Sequence, residues 1–224
     1  DSAFTELALR SIDCRELVRL VYRRVLGRVP TQGELITMNQ YLCVTYNNRV
    51  IKNAPRVIRQ EKVDILLMSA YVNELLSIKE GLFDQSSITP AARANDATDV
   101  WAIRHGCYTA EPAQPFRSAS IDHIQCGQLE CDRSTDQFPG ANLGLYSVTF
   151  VNDLEQDKAT LNAFKSFREE AEAKRFRYFL EVFNPNVPSG VAPEKMGEFI
   201  NDHILRSLAG VTESGRPVFL KIPY

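Results

Sequence analysis

From Gly144 onward the chain alternates short apolar runs with longer amphipathic stretches, and few folds accept that order. Leu145-Tyr146-Ser147-Val148-Thr149-Phe150-Val151 is rich in β-branched and aromatic residues and reads as a strand. Between about Gln156 and Lys174, Leu161, Phe164 and Ala171 recur on one helical face, while Lys158, Lys165, Arg168 and Glu172 fall mostly away from it. Arg177 to Phe183 is the next strand, broken by Asn184-Pro185-Asn186. A second amphipathic helix carries Met196, Phe199, Ile200, Ile204 and Leu208, and Val218 to Ile222 forms a last strand. Strand, helix, strand, helix, strand with short turns predicts an α/β architecture of parallel β/α units.

The same cadence starts upstream. Val63 to Met68 reads as a buried strand, Tyr71 to Leu76 as helical, and Ile88 to Ala91 as a further strand. Residues 105–142 are rich in Gly, Pro, Ser, Asp and Gln without periodicity, which predicts a long loop excursion. Residues 1–60 form an N-terminal helical segment in this reading, and residues 61–224 the β/α domain. Leu17, Leu20, Val21, Val25 and Leu26 fall at helical spacing, with Asp13 as N-cap, Glu16 three residues later, and Gly27 and Pro30 as stop signals. The opposite face carries Arg15, Arg19, Arg23, Arg24 and Arg28, a pattern that suits a partner or simply a solvated surface.

Composition narrows the function classes. At 44% hydrophobic and 24% charged the chain is too apolar for a disordered one. A net charge of −2 gives no overall attraction to nucleic acid or anionic lipid, and no apolar run approaches the roughly 20 residues of a membrane span. Neither nucleic acid nor a membrane is therefore an expected partner. The five cysteines (Cys14, Cys43, Cys107, Cys126, Cys131) are scattered and lack C-x-x-C spacing. They read as reduced thiols of a cytoplasmic protein, a localisation that agrees with the lack of a visible signal peptide. Cys126 and Cys131 with His123 would need a fourth ligand to hold a metal, so no metal is expected.

Strand alternation puts Phe219 and Lys221 on one sheet face and Val218, Leu220 and Ile222 on the other. Inside a closed barrel such a lysine points into the lumen, where desolvation turns it into an amine nucleophile for a carbonyl. At a strand end its ammonium would instead sit in water. Glu181 shares a face with Phe179 and Phe183 and becomes a general acid/base if it meets Lys221. Asn152, Asp153, Asn184 and Asn186 follow strands and fall at the carboxyl edge where barrel sites form, although Asn and Asp are also ordinary turn residues. Arg93, Asn95, Asp96 and Asp99, then Arg104, His105 and Arg117, have the chemistry to hold phosphate or carboxylate; exposed loops show the same polar density.

In Leu180-Glu181-Val182-Phe183 and Phe219-Leu220-Lys221-Ile222-Pro223-Tyr224 the chain resembles the class I, Schiff-base aldolases of the (β/α)8 TIM-barrel type, the group that includes tagatose-bisphosphate aldolase and related bacterial aldolase-like proteins. The resemblance covers about residues 63–224, with Ala92-Arg93-Ala94-Asn95-Asp96 resembling a strand-end loop of the group. It implies Glu181 as acid/base and Lys221 as the Schiff-base lysine. The strand Ser147 to Val151 lacks the further lysine of the group, and the chain holds fewer β/α units, so an incomplete or altered barrel is expected. The expected function is that of a carbohydrate-metabolism lyase acting on a small, phosphorylated carbonyl compound. Lys221, Glu181 and Asp153 are its catalytic candidates, and Arg93, Asn95, Asn184 and Arg117 its substrate-binding candidates. No cofactor is needed, because the protonated imine is the electron sink. A homo-oligomer is compatible with this reading, since another copy can supply missing strands. The alternative starts from Glu16 to Arg28, which is similar to helical modules of phycobilisome linkers and implies a non-enzymatic scaffold protein.

Overall fold

The computed structural model describes residues 46–100 and 105–223. The basic helix expected at Asp13 to Arg28, and with it the scaffold alternative, lies outside the described residues, as do Cys14, Cys43 and Arg104. The chain divides into two units, Asp1–Arg56 and Val57–Tyr224. Of the first, the described part is the start of helix α1 (Tyr46–Gln60).

The second unit is a parallel β/α structure. Its strands β1 (Ile65–Met68), β2 (Thr89–Arg93), β5 (Leu143–Thr149), β6 (Arg177–Phe183) and β7 (Leu220–Lys221) lie side by side in that order, every neighbouring pair parallel. Among the described residues the five strands make the arc of a half barrel with β1 and β7 at its edges; the closed eight-stranded barrel of the aldolase resemblance is not seen there. Helix α2 (Ala70–Asn73), begun by the Ser69 cap and continued by a wider π-helical turn at Glu74–Lys79, joins β1 to β2. Helices α4 (Leu154–Ala173) and α5 (Met196–Leu208) follow β5 and β6, as the apolar periodicity predicts.

The core lies chiefly between the sheet and these helices. Tyr146, Val148, Phe150, Tyr178, Leu180 and Val182 meet Phe164, Phe167, Ala171, Ile200 and Ile204. The Tyr146 ring stacks on Phe167 at 4.3 Å, and Tyr178 meets the same ring edge-on at 5.2 Å. Burial pushes the Tyr146 hydroxyl up to about 12, the nearby Arg117 charge opposing it. All seven residues of β5 are buried because both faces of this central strand are covered. On the other face Ala91, Leu143, Leu145 and Phe179 form a second, smaller cluster. Gly144 is required by closeness: a Cβ there would lie 2.5 Å from the Phe176 ring.

The excursion at 105–142 holds more order than its composition suggests. Strands β3 (Asp96–Ala97) and β4 (Pro115–Phe116) pair antiparallel across it, and helix α3 (Ile121–Cys126) is capped by Ser120. Buried side-chain amides supply the hydrogen bonds that a loop lacks. Asn73 donates to the Ile124 carbonyl at 2.7 Å and accepts from the Ala141 amide at 2.9 Å. Past Gly127, which ends α3 with a φ of 74°, the chain turns back and Cys126 and Cys131 form a disulfide, their Cα atoms 5.9 Å apart. This corrects the reading of both as reduced thiols and removes the cysteine argument for a reducing cytoplasm. Cys107 is free and exposed. Among the described residues no helix is long and apolar enough to cross a membrane.

Candidate functional site

The parallel register aligns four polar residues in one row across the sheet. Ser147 on β5 stands opposite Glu181 on β6, and Glu181 opposite Lys221 on β7. Two residues below them Arg93 on β2 pairs with Leu145, and Leu145 with Phe179, so Asn95 comes level with Ser147 just beyond the end of β2. Paired residues of a parallel sheet share a face. Arg93, Ser147, Glu181 and Lys221 therefore share the face that carries the smaller apolar cluster, away from the helices.

The row is tied together by hydrogen bonds. The Lys221 ammonium donates to Glu181 Oε1, and the Ser147 hydroxyl donates to Glu181 Oε2 at 2.9 Å. The two partners differ in access: the Glu181 side chain is 5% exposed and that of Lys221 58%. A carboxylate that deep would be costly alone; here both oxygens accept charged or hydroxyl donors. Below the pair Phe179 stacks on Phe219, ring centroids 4.6 Å apart. The Asn95 amide grips Ser147 from the other side, accepting from its backbone N–H at 2.7 Å and donating to its carbonyl at 2.8 Å. It acts as a surrogate peptide group, extending the β2 to β5 ladder after the β2 backbone has turned away.

The remaining candidates divide by position. Arg93 is half-buried on the Lys221 face, its Nε 3.6 Å from Asp96 Oδ1. Burial holds the Asp96 carboxyl above its usual range and the Arg93 charge opposes that; burial also raises Asp99. Asn95, expected as a substrate residue, is buried and committed to Ser147. Asp153 is exposed at the start of α4 and accepts the Gln156 amide at 3.0 Å, the work of an N-cap. Asn184 is exposed directly after β6. Arg117 lies on the helix side of the sheet, where it bonds Glu170 at 2.5 Å and the Ala94 carbonyl at 3.3 Å and covers the Phe167 ring. The structure thus brings Glu181 and Lys221 together and places Arg93 on their face, while Asp153 and Arg117 have structural partners elsewhere.

Ser147 was not among the expected site residues. Its signal is a hydroxyl in a mostly apolar buried strand, on the alternation shared with Leu145 and with Thr149, a second buried hydroxyl. Among the described residues no group of histidine, cysteine and carboxylate side chains could hold a metal ion, and His123 has no such cluster around it. No family model matches the sequence, and no curated protein or solved structure matches it significantly, so the aldolase resemblance rests on its own residues.

Proposed function

We propose that the chain is a Schiff-base-forming aldolase or lyase for small phosphorylated carbonyl compounds, with Lys221 as nucleophile and Glu181 as proton shuttle. The observation that carries this reading is the direct hydrogen bond between an accessible lysine and a buried glutamate on adjacent strands, with the glutamate's second oxygen held by Ser147. Geometry of this kind lets the acid/base act without searching for its proton.

In the proposed sequence Lys221 passes a proton to Glu181 and its free amine attacks the carbonyl carbon. The C–N bond forms as the C=O π pair moves to oxygen, which takes a proton from the new ammonium nitrogen. Glu181 then protonates that hydroxyl, and water leaves as the iminium forms. The iminium draws the electron pair of the neighbouring C–C bond toward nitrogen, while the β-hydroxyl gives its proton to the Glu181 carboxylate and becomes the carbonyl of the leaving fragment. Protonation of the enamine and hydrolysis return Lys221. Arg93, on the same face and only loosely paired with Asp96, suits the substrate's phosphate by its planar fork. Asn184 would meet substrate from the strand end.

Incubation with dihydroxyacetone phosphate or glyceraldehyde 3-phosphate under borohydride, followed by peptide mass spectrometry, tests this directly. The expected result is a reduced adduct on Lys221 that is absent in Lys221→Met and slowed about 100-fold in Glu181→Gln, the lower range of general acid/base effects. Labelling of Lys221 no faster than that of exposed lysines such as Lys158 and Lys165 would refute the proposal.

A further inference from the structure

We propose that a second site, at the amino end of the sheet, binds the phosphate group of a small molecule. It does not rest on the reading of Lys221. Arg177 opens β6 and Glu181 follows four residues later, about 13 Å along the strand at the usual rise, so the two sites lie at opposite ends of the same element.

Four arginines from separate stretches line one cavity of about 300 Å³. Arg168 comes from the second-to-last turn of α4, Arg175 from just after that helix, Arg177 from the first position of β6, and Arg216 from the turn before β7. The floor is apolar, with Ala171, Phe176 and Val218. Glu172 is the one acid in the lining, and its Oε1 already accepts the Ser214 hydroxyl at 2.6 Å. Arg175 also reaches Asp136 outside the cavity. Two positive charges remain in excess after both acids are counted, in a chain whose net charge is −2.

The unpaired donors show where the excess lies. Among the described residues neither Arg177 nor Arg216 has a carboxylate partner. The Arg168 Nε is sealed from solvent with no acceptor, its guanidinium resting over the Phe164 ring. That nitrogen is closed to a phosphate as it is to water, so the donors left for a ligand are those of Arg177 and Arg216. Arginine forks match the oxygens of a phosphate, and they favour it over a single carboxylate where several converge. The volume is at the small end for ligand sites and suits a phosphate with a short organic remainder rather than a dinucleotide. A phosphate bound between Arg177 and Arg216 would also tie the start of β6 to the approach to β7, the pairing that sets Lys221 beside Glu181.

The test is calorimetric titration and thermal melting with potassium orthophosphate and with glycerol 3-phosphate, each against potassium chloride at matched ionic strength. The expected result is saturable binding and a raised melting temperature that chloride does not reproduce. Affinity should fall at least tenfold in Arg177→Gln/Arg216→Gln, whose two sites are exposed. Arg177→Lys, which keeps the charge and the fold but removes the fork, should weaken binding several-fold. Lys158→Gln, at an exposed lysine near the start of α4, should leave it unchanged. Tighter binding of the ester identifies a phosphorylated metabolite as the ligand, and equal binding identifies phosphate itself. No saturable binding of either ligand, or binding that survives both Arg177 variants or is lost in Lys158→Gln, would overturn the proposal.

Discussion

Strands β5 and β6 each run for seven residues and pair along their whole length, whereas β7 pairs with β6 through Leu180 with Leu220 and Glu181 with Lys221. The first two are buried between helices and a second apolar cluster; Leu220, Phe219 and Ile222 at the edge are exposed. The contrast shows how the candidate site is built. Its carboxylate sits on a strand paired along its whole length with β5, with the Ser147 hydroxyl beside it, and its lysine on an edge that solvent and ligands can reach. Positional accuracy and access are assigned to different strands.

The largest expected effect separates those strands by stability. Tyr146→Ala should cost about 3–5 kcal/mol, since it empties the space against Phe164 and Phe167, whereas Leu220→Ala should cost about 1 kcal/mol or less. Urea unfolding of the two variants measures the difference, and equal losses would break the comparison. Next in size, Asn95→Ala should cost about 2–3 kcal/mol, because the Ser147 N–H and C=O lose their partner inside the protein. Asn95→Asp should recover little of this, as a carboxylate cannot donate to the carbonyl.

How far the sequence reveals this arrangement depends on what sets each part. Period two and period 3.6 follow from burial of one face, so β6 and the helices after β5 and β6 stand where their apolar residues put them. The same alternation groups Glu181 with Phe179 and Phe183 and Lys221 with Phe219, while the match between the two faces is set by the parallel register. Helix α3 is six residues long and owes its place to Ser120, Gly127 and the Asn73 amide more than to an apolar stripe, which leaves little periodicity to read. The Cys126 to Cys131 pairing depends on a left-handed turn at Gly127 that brings two distant Cβ atoms together, and spacing alone does not disclose it. Arg117 looks like any other loop arginine until α4 supplies Glu170 and the Phe167 ring. Closure of the barrel could not be inferred from local β/α cadence, because open and closed parallel sheets share it.

The smallest expected effect belongs to the charged cluster on the helix side. Burial would raise Asp122 and Glu170, but the ammonium of Lys174 with the Arg133 and Arg117 guanidiniums holds both carboxyls below their ordinary 3.8 and 4.5. Burial would lower Lys174, and the same two carboxylates hold it above 10.5. A lowered acid stabilises the fold above its ordinary pKa and loses that contribution as pH falls through the depressed value. A raised lysine stabilises it below its ordinary pKa and loses that contribution as pH rises through the elevated value. The stability difference between the wild type and Lys174→Met should be about 1 kcal/mol and flat from about pH 5 to 10, shrinking beyond either limit. Urea midpoints across that range test it; a difference that grows toward acid would reverse the assignment.

The side-chain amide of Asn95 has a consequence for how this protein can vary. A sheet normally dictates the path of its chain up to the last ladder bond, so lengthening a loop near that bond risks shifting the register. Here the final rung beyond Arg93 is made by an amide that hangs from the chain, and the backbone is already leaving for β3. The segment from Asp96 to Phe116 can be lengthened, shortened or exchanged while Ser147, and through it Glu181, keeps its address. A chain with such an anchor can alter the loop that leaves β2 without rebuilding the strand that carries Glu181.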